Sequence, residues 1–212
     1  MEILKAISEN LQSGSAPKVR ELTMEALNLG IDARDVLSAL MEGMGVIGVK
    51  FKNNEVYVPE VLLVARAMHA GLDILKPVLS ETGAKPIGKA LIGTVAGDLH
   101  DIGKNMVKYM MVGTGIDVID IGIDVPPEEF VNAVKEHKPD IVCMSALLTT
   151  TLPAVRKSIE ALEKAGLRSE IIIMIGGAPV TAAFAKEVGA DMYAPDSASA
   201  AEKAREAILN KK

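Results

Sequence analysis

Near residue 85 the apolar residues of this chain change their period. Before that point they recur at helical spacing; after it they gather in short continuous runs, each followed by an amphipathic stretch. A chain patterned in this way cannot be a single bundle or a single sandwich, because its two parts bury their apolar residues with different geometries. With 212 residues, 49% of them hydrophobic, there is enough material for one ordinary core or two small ones.

Candidate caps divide the first part into four helices. The first spans about 2–12 and ends in Ser13-Gly14-Ser15; the second starts at Ala16-Pro17 and closes at Leu29-Gly30. Proline suits a first helical turn and glycine the left-handed closing conformation. Asp32 caps a third helix that continues to about 49 despite Gly43, Gly45 and Gly48. Each of these glycines weakens a helix by about 1 kcal/mol relative to alanine, so their clustering predicts close approach of a neighbouring helix or a ligand. After the polar turn Lys52-Asn53-Asn54, Pro59 opens a fourth helix running towards 79. The segment 80–88 (SETGAKPIG) has the composition of a short interdomain linker. The expected domains are therefore 1–85, helical, and 86–212.

In the second domain the apolar runs at 89–95, 117–121, 140–145, 170–175 and 191–194 alternate with helices beginning near Ile102, Pro127, Pro153, Val180 and Ser197. Five strands joined by helical crossovers predict an α/β fold with a parallel sheet covered on both faces. Right-handed crossovers give a doubly wound, flavodoxin-like sheet. No internal repeat or low-complexity tract interrupts it.

Charge and composition exclude several functions. The 23 basic and 28 acidic residues leave a net charge of -5 with no Lys/Arg block, so nucleic acid is not an expected partner. Aromatics make up 3% and tryptophan is absent, which leaves no stacking platform for bases. No apolar run reaches the roughly 20 residues of a spanning helix, and Glu2, Lys5 and Glu9 stand where a signal peptide would be apolar, so no membrane association and a cytoplasmic location are expected. The single cysteine, Cys143, lies in an apolar run and reads as a small buried hydrophobe. The eleven methionines read as pliable core filling.

Ligands of open α/β sheets bind beyond the carboxyl ends of the strands. The loop after the first run reads Gly97-Asp98-Leu99-His100-Asp101-Ile102-Gly103-Lys104-Asn105. It lacks both the G-x-G-x-x-G spacing of a dinucleotide site and the Gly-Lys-Ser/Thr ending of a phosphate loop. It offers instead an imidazole two residues after a carboxylate. A histidine facing a transition metal gains basicity and a fixed tautomer when its other nitrogen donates to a carboxylate, and Asp98 is placed to be that partner. The same residues also suit a solvated loop or a cap for the helix at Ile102. The second loop, Ser145 to Thr151, is rich in hydroxyls; its three threonines suit either a pocket or a helix cap. The third, Gly176-Gly177, allows a flat ligand to press on backbone and is equally ordinary turn chemistry.

Together, Asp98-Leu99-His100-Asp101-Ile102-Gly103, Ser145-Ala146-Leu147 and Gly176-Gly177 resemble the D-x-H-x-x-G, S-x-L and G-G signature of the cobalamin-binding domain of corrinoid proteins. The stretch from Phe51 to Glu60 and the following Ala65-Arg66-Ala67-Met68 are similar to the four-helix cap preceding that domain in methionine synthase and in the small corrinoid subunits of methylamine, methanol and methoxyarene methyltransferase systems. The resemblance thus extends over essentially the whole chain.

The resemblance implies a cobalamin or related corrinoid cofactor, with His100 as the lower axial cobalt ligand and Asp98 as its hydrogen-bonded partner. Thr151 falls where methionine synthase has a serine that completes the relay, a departure that keeps a hydroxyl. Ser145, Leu147, Thr149, Gly176 and Gly177 match the pocket for the displaced nucleotide tail, with Tyr193 and Ala194 near its base; Gly97, Asp101, Ile102 and Gly103 frame the ligand turn. Tyr57, Val58 and Leu62 match the region covering the upper face of the corrin. It further implies a methyl carrier, not catalytic alone, that accepts a methyl group on cobalt(I) from a substrate-specific methyltransferase. A second methyltransferase would pass the group to tetrahydrofolate or a thiol, and a reductive activase is a third expected partner. Proton uptake by the Asp98, His100 and Thr151 chain would accompany loss of the axial bond, and the cap would move aside about a hinge at 80–88. The alternative is a cobalamin-binding sensor or regulatory module, which shares both halves and needs a further signalling or DNA-binding module. Adenosylcobalamin mutase subunits share the second domain without this cap. A receiver-like or flavodoxin-like domain with another ligand leaves the helical half unexplained.

Overall fold

The computed structural model describes residues 2–81 and 86–211. They fall into a helical unit that ends at Pro86 and takes in Gly113–Gly115, and an α/β unit made of the rest from Ile87 onwards. The expected boundary near 85 and the middle of the expected hinge at 80–88 fall on 82–85, outside the described residues.

The helical unit contains α1 (Glu2–Gln12), α2 (Ala16–Asn28), α3 (Ala33–Lys52) and α4 (Val58–Glu81). Helix α1 packs on α2 and α3, and α4 packs on α2 and α3. Ile7 and Leu11, one turn apart on α1, are fully buried with Val19, Leu40 and Leu75. Asp32 caps α3 by accepting from the Arg34 N–H at 2.8 Å. This helix runs past the expected end near 49 because 49–52 contain no breaker. The chain reverses at Asn54, whose φ of +59° is left-handed. A Cβ on Gly43 would press on the Leu11 side chain and the Ser8 carbonyl, each at 2.9 Å, so this glycine does admit a neighbouring helix. Gly45 has no protein atom within 4 Å, so no neighbouring helix approaches it.

The α/β unit follows the order β1 (Gly88–Thr94), α5 (Ile102–Gly113), β2 (Ile116–Asp120), α6 (Pro127–His137), β3 (Ile141–Ser145), α7 (Leu152–Lys164), β4 (Ile172–Gly176), α8 (Ala182–Glu187), β5 (Met192–Tyr193) and α9 (Ser197–Lys211). All strand pairs are parallel, in the order β2-β1-β3-β4-β5. This is the flavodoxin-like doubly wound sheet, as the alternating pattern predicts. Leu91, Val142 and Ile173, from three adjacent strands, pack with Phe130 of α6 and with Val155, Ile159 and Leu162 of α7. Truncating the fully buried Phe130 would cost about 3–5 kcal/mol. Cys143 is buried in β3, where loss of solvent pushes its thiol up to about 12, so it behaves as core.

Strand order also sets where a ligand can bind. The chain leaves β1 towards one edge of the sheet and β3 towards the other, so the loops after these adjacent strands open a crevice at their carboxyl ends. No described helix is long and apolar enough to cross a membrane.

Candidate functional site

The loop after β1 turns sharply at Gly97, whose φ of +81° suits glycine, and carries Asp98 inward. The Asp98 side chain has no solvent exposure. Its Oδ1 accepts from the His100 backbone N–H at 3.1 Å and from His100 Nδ1 at 2.7 Å. Its Oδ2 accepts from the backbone N–H groups of Leu147 at 2.7 Å and Leu148 at 3.3 Å, and from the Thr151 hydroxyl at 2.9 Å. Burial alone would disfavour the charge. The donors from Leu147, His100 and Thr151 outweigh it and hold the carboxyl well below the ordinary carboxylate range.

An ionised carboxylate can only accept, so His100 Nδ1 carries a proton, and in the neutral ring the lone pair is at Nε2. The backbone carbonyl of His100 is fixed by the Thr94 hydroxyl at 2.9 Å, while its side chain is half exposed. The flanking Leu99 and Ile102 are 67% and 65% exposed, and Leu147 and Leu148, bonded to Asp98 from the β3 loop, are also exposed. The turn therefore presents one imidazole nitrogen amid apolar side chains. Among the described residues, no group of three or more His, Cys, Asp or Glu could hold a metal. Such an arrangement would suit a metal that arrives within a ligand of its own, with the His100 imidazole as the protein's donor to it.

Further along the crevice, Ser145 of β3 pairs with Gly176 of β4, and the Ala146 N–H donates to the Gly176 carbonyl at 3.1 Å. Gly177 has a φ of +126°, and a Cβ there would run into the Ala146 carbonyl. A Cβ on Gly176 would stand 3.3 Å from the Ala194 carbonyl oxygen. Tyr193 pairs with Ile175. The structure thus brings Ser145, Gly176, Gly177, Tyr193 and Ala194 together at one edge. Thr149 is exposed on the short 3-10 turn before α7. Asp101 accepts from Asn105 through its carbonyl at 2.7 Å and its carboxylate at 3.1 Å, Ile102 opens α5, and a Cβ on Gly103 would meet open space.

Tyr57, Val58 and Leu62 belong to the helical unit: Tyr57 precedes α4, Val58 opens it and Leu62 lies one turn inside it. Tyr57 and Leu62 are exposed, and the Tyr57 backbone N–H donates to the Glu60 carboxylate at 2.7 Å.

Comparison with known proteins gives this arrangement a context. Residues 88–204 match the family model described as "B12 binding domain", and a second model of the same description matches residues 3–76. The chain belongs to the corrinoid-protein family. Cobalamin or a related corrinoid is its cofactor. It is 38% identical over 209 residues to dimethylamine corrinoid protein 2 of Methanosarcina mazei, covering 98% of each chain. Among solved structures, it matches the methanol:cobalamin methyltransferase complex of Methanosarcina barkeri at 32% identity and a TM-score of 0.88, covering all of this chain and 81% of that one. It also matches a cobalamin-binding protein of Desulfitobacterium hafniense at 31% identity and a TM-score of 0.77, covering 96% and 98% of the two chains.

In this corrinoid protein the open readings of the motifs narrow. Asp98 does not cap α5, since its oxygens are taken within its own turn and by the β3 loop. Thr151 occupies the N-cap position of α7 but makes no capping bond. Its one hydroxyl proton has two acceptors in reach, Asp98 Oδ2 at 2.9 Å and the Leu148 carbonyl at 2.8 Å.

Motif reading missed a second group of residues. Lys104, 3% exposed on α5, donates to both oxygens of Asp120 at 2.7 Å, and Lys108 reaches Asp120 at 3.2 Å. Burial disfavours the Asp120 charge, but Lys104 and the Gly122 N–H outweigh it and lower its pKa. Asp124, with a left-handed φ of +52°, accepts from the Gly97 N–H at 2.6 Å. Lys104 and Lys108, four residues apart on α5 and followed by an apolar run that ends in Asp120, were the available signal.

Proposed function

We propose that this corrinoid protein carries a methyl group between two methyltransferases, one specific for a methylated substrate and one delivering to tetrahydrofolate or a thiol. The relatives named for dimethylamine and for methanol support the first partner. A reductive activase that restores the cofactor after oxidation completes the proposed set. The bound corrinoid would supply a cobalt centre that accepts and releases the methyl group.

The observation that carries the reading is the 2.7 Å contact between Asp98 and His100 Nδ1, which leaves Nε2 available as an axial ligand. Asp98 orients the ring and raises the basicity of Nε2. The Leu147 and Leu148 N–H groups and the Thr151 hydroxyl keep Asp98 charged, so it remains an acceptor throughout. Whenever Nε2 is not holding the metal it would be free to take up a proton, and the buried Asp98 carboxylate would stabilise the resulting imidazolium. Ser145, Leu147, Thr149, Gly176, Gly177, Tyr193 and Ala194 would receive the nucleotide tail, while Gly97, Asp101, Ile102 and Gly103 shape the approach to the turn. Tyr57, Val58 and Leu62 are the side chains that the helical unit would offer to the cofactor.

Reconstitution tests this reading. Protein mixed with hydroxocobalamin should stay red through desalting, and His100→Gly should keep part of the cofactor with an altered absorption spectrum. An unchanged spectrum would remove His100 from the ligand role. Reduced holoprotein mixed with a dimethylamine- or methanol-specific methyltransferase and its substrate should acquire the methylated spectrum; no change with any methylated substrate would sink the carrier role.

A further inference from the structure

The turn that presents His100 is braced by a loop that no part of the signature contains. Residues 121–125 follow β2 and run beside the turn. The Asp124 N–H donates to the Asp98 carbonyl at 3.0 Å, and the Asp124 carboxylate accepts from the Gly97 N–H at 2.6 Å. Asp124 therefore grips the turn on both sides of the Gly97–Asp98 peptide. The Val125 N–H donates to the Thr94 carbonyl at 2.9 Å, and the Thr94 N–H donates to the Gly122 carbonyl at 3.0 Å. The Thr94 hydroxyl in turn holds the His100 carbonyl. At its other end the loop is anchored by Asp120, which accepts from the Gly122 N–H at 3.0 Å and is pinned by the buried Lys104. A short chain of contacts thus leads from an ion pair beneath α5 to the backbone on either side of the imidazole.

We propose that Asp124 is a positioning residue for His100: its carboxylate, held in a left-handed backbone conformation, fixes the height and tilt of the turn and so the strength of axial ligation. The proposal rests on His100 being the axial ligand. A carboxylate serves here better than a neutral loop residue because a charged acceptor makes a short, strong bond to a backbone N–H. Aspartate also tolerates the φ of +52° that this position demands.

Ligation competes with protonation of the imidazole, so a tenfold weaker axial bond raises the midpoint pH of its loss by about one unit; outer contacts of this kind change metal affinity by about 10–100-fold. The measurement is an absorbance titration of methylcobalamin-loaded protein, with thermal melting and cobalamin retention followed in parallel. Asp124→Gly keeps the backbone conformation and deletes the acceptor; Asp124→Asn keeps an acceptor and deletes the charge. The expected result is a midpoint raised by about one unit in Asp124→Gly and by clearly less in Asp124→Asn, out of proportion to any change in melting. An Asp124→Gly midpoint equal to that of the unmodified protein overturns the proposal, and so does an Asp124→Asn shift as large as that of Asp124→Gly, which would show that an acceptor for the Gly97 N–H does not position the turn. His100→Gly separates the two readings. If it titrates like the unmodified protein, His100 is not the ligand; if its transition is absent and Asp124→Gly is normal, only the role of Asp124 fails.

Discussion

His100 Nδ1 lies 2.7 Å from Oδ1 of Asp98, a fully buried carboxylate two residues earlier in the same turn, while the ring itself stands half in solvent. The charge is inside and the imidazole it orients is outside. A carboxylate so placed is tolerated only because three further donors, from Leu147, Leu148 and Thr151, converge on its other oxygen. That convergence has consequences for stability and for its dependence on pH.

Asp98 should make the protein sensitive to acid. Its folded pKa lies below the unfolded value of about 3.9, so the folded state binds fewer protons and stability rises with pH. The contribution is complete above the unfolded value and is lost as pH falls through the folded one. Urea unfolding at pH 7 and pH 3 should show Asp98→Asn far less stable than the parent at pH 7, with the gap narrowing at pH 3. A gap independent of pH would show that the charge is not what the site stabilises.

Thr151 can be tested by shape. Thr151→Val keeps the volume and removes the hydroxyl, leaving Asp98 Oδ2 with its backbone donors; the cost should be about 1–3 kcal/mol. Thr151→Ser keeps the hydroxyl and should recover most of it. Equal losses in the two variants, measured by denaturant titration, would assign the effect to packing.

Gly177→Ala should be severe. The added methyl meets the Ala146 carbonyl, and the φ of +126° is closed to alanine. A loss of at least about 3 kcal/mol is expected, along with weaker retention of hydroxocobalamin on desalting. Gly103→Ala, where no protein atom lies within 4 Å, should leave folding nearly unchanged and is the control for the stability measurement alone.

Lys104 and Lys108 both reach Asp120, but only Lys104 is buried. Lys104→Met should cost about 2–4 kcal/mol, since it strips a largely buried carboxylate of its main partner. Lys108→Met should cost less than about 1 kcal/mol. Equivalent thermal shifts for the two would contradict the burial argument.

Much of the fold is legible in the sequence because it is local. Asp32 and Pro17 mark helix starts through bonds and torsions within a few residues, and the apolar runs find β1 to β5 to within a residue or two. The same locality makes the Asp98 and His100 pair readable, since both belong to one turn. Thr151 bonding Asp98 from 53 residues away is not readable from spacing and was reached only through resemblance. Asp124 and Lys104 were missed for a related reason. An exposed loop aspartate and a helix lysine look like solvated charges until the loops around them are assembled. Gly43 and Gly45 look alike in the sequence, yet a neighbouring helix reaches only Gly43, because which face of α3 is covered is decided by packing.

Periodicity, capping and turn chemistry act over a few residues, and so the order of residues along the chain is enough to specify the alternation of helices and strands, the parallel sheet and the turn that offers one imidazole. Which groups keep Asp98 charged, and what braces the turn beneath His100, are settled only when the chain is assembled. Those partners come from the ends of β2 and β3, and they meet the β1 loop only because the strand order places both strands beside β1.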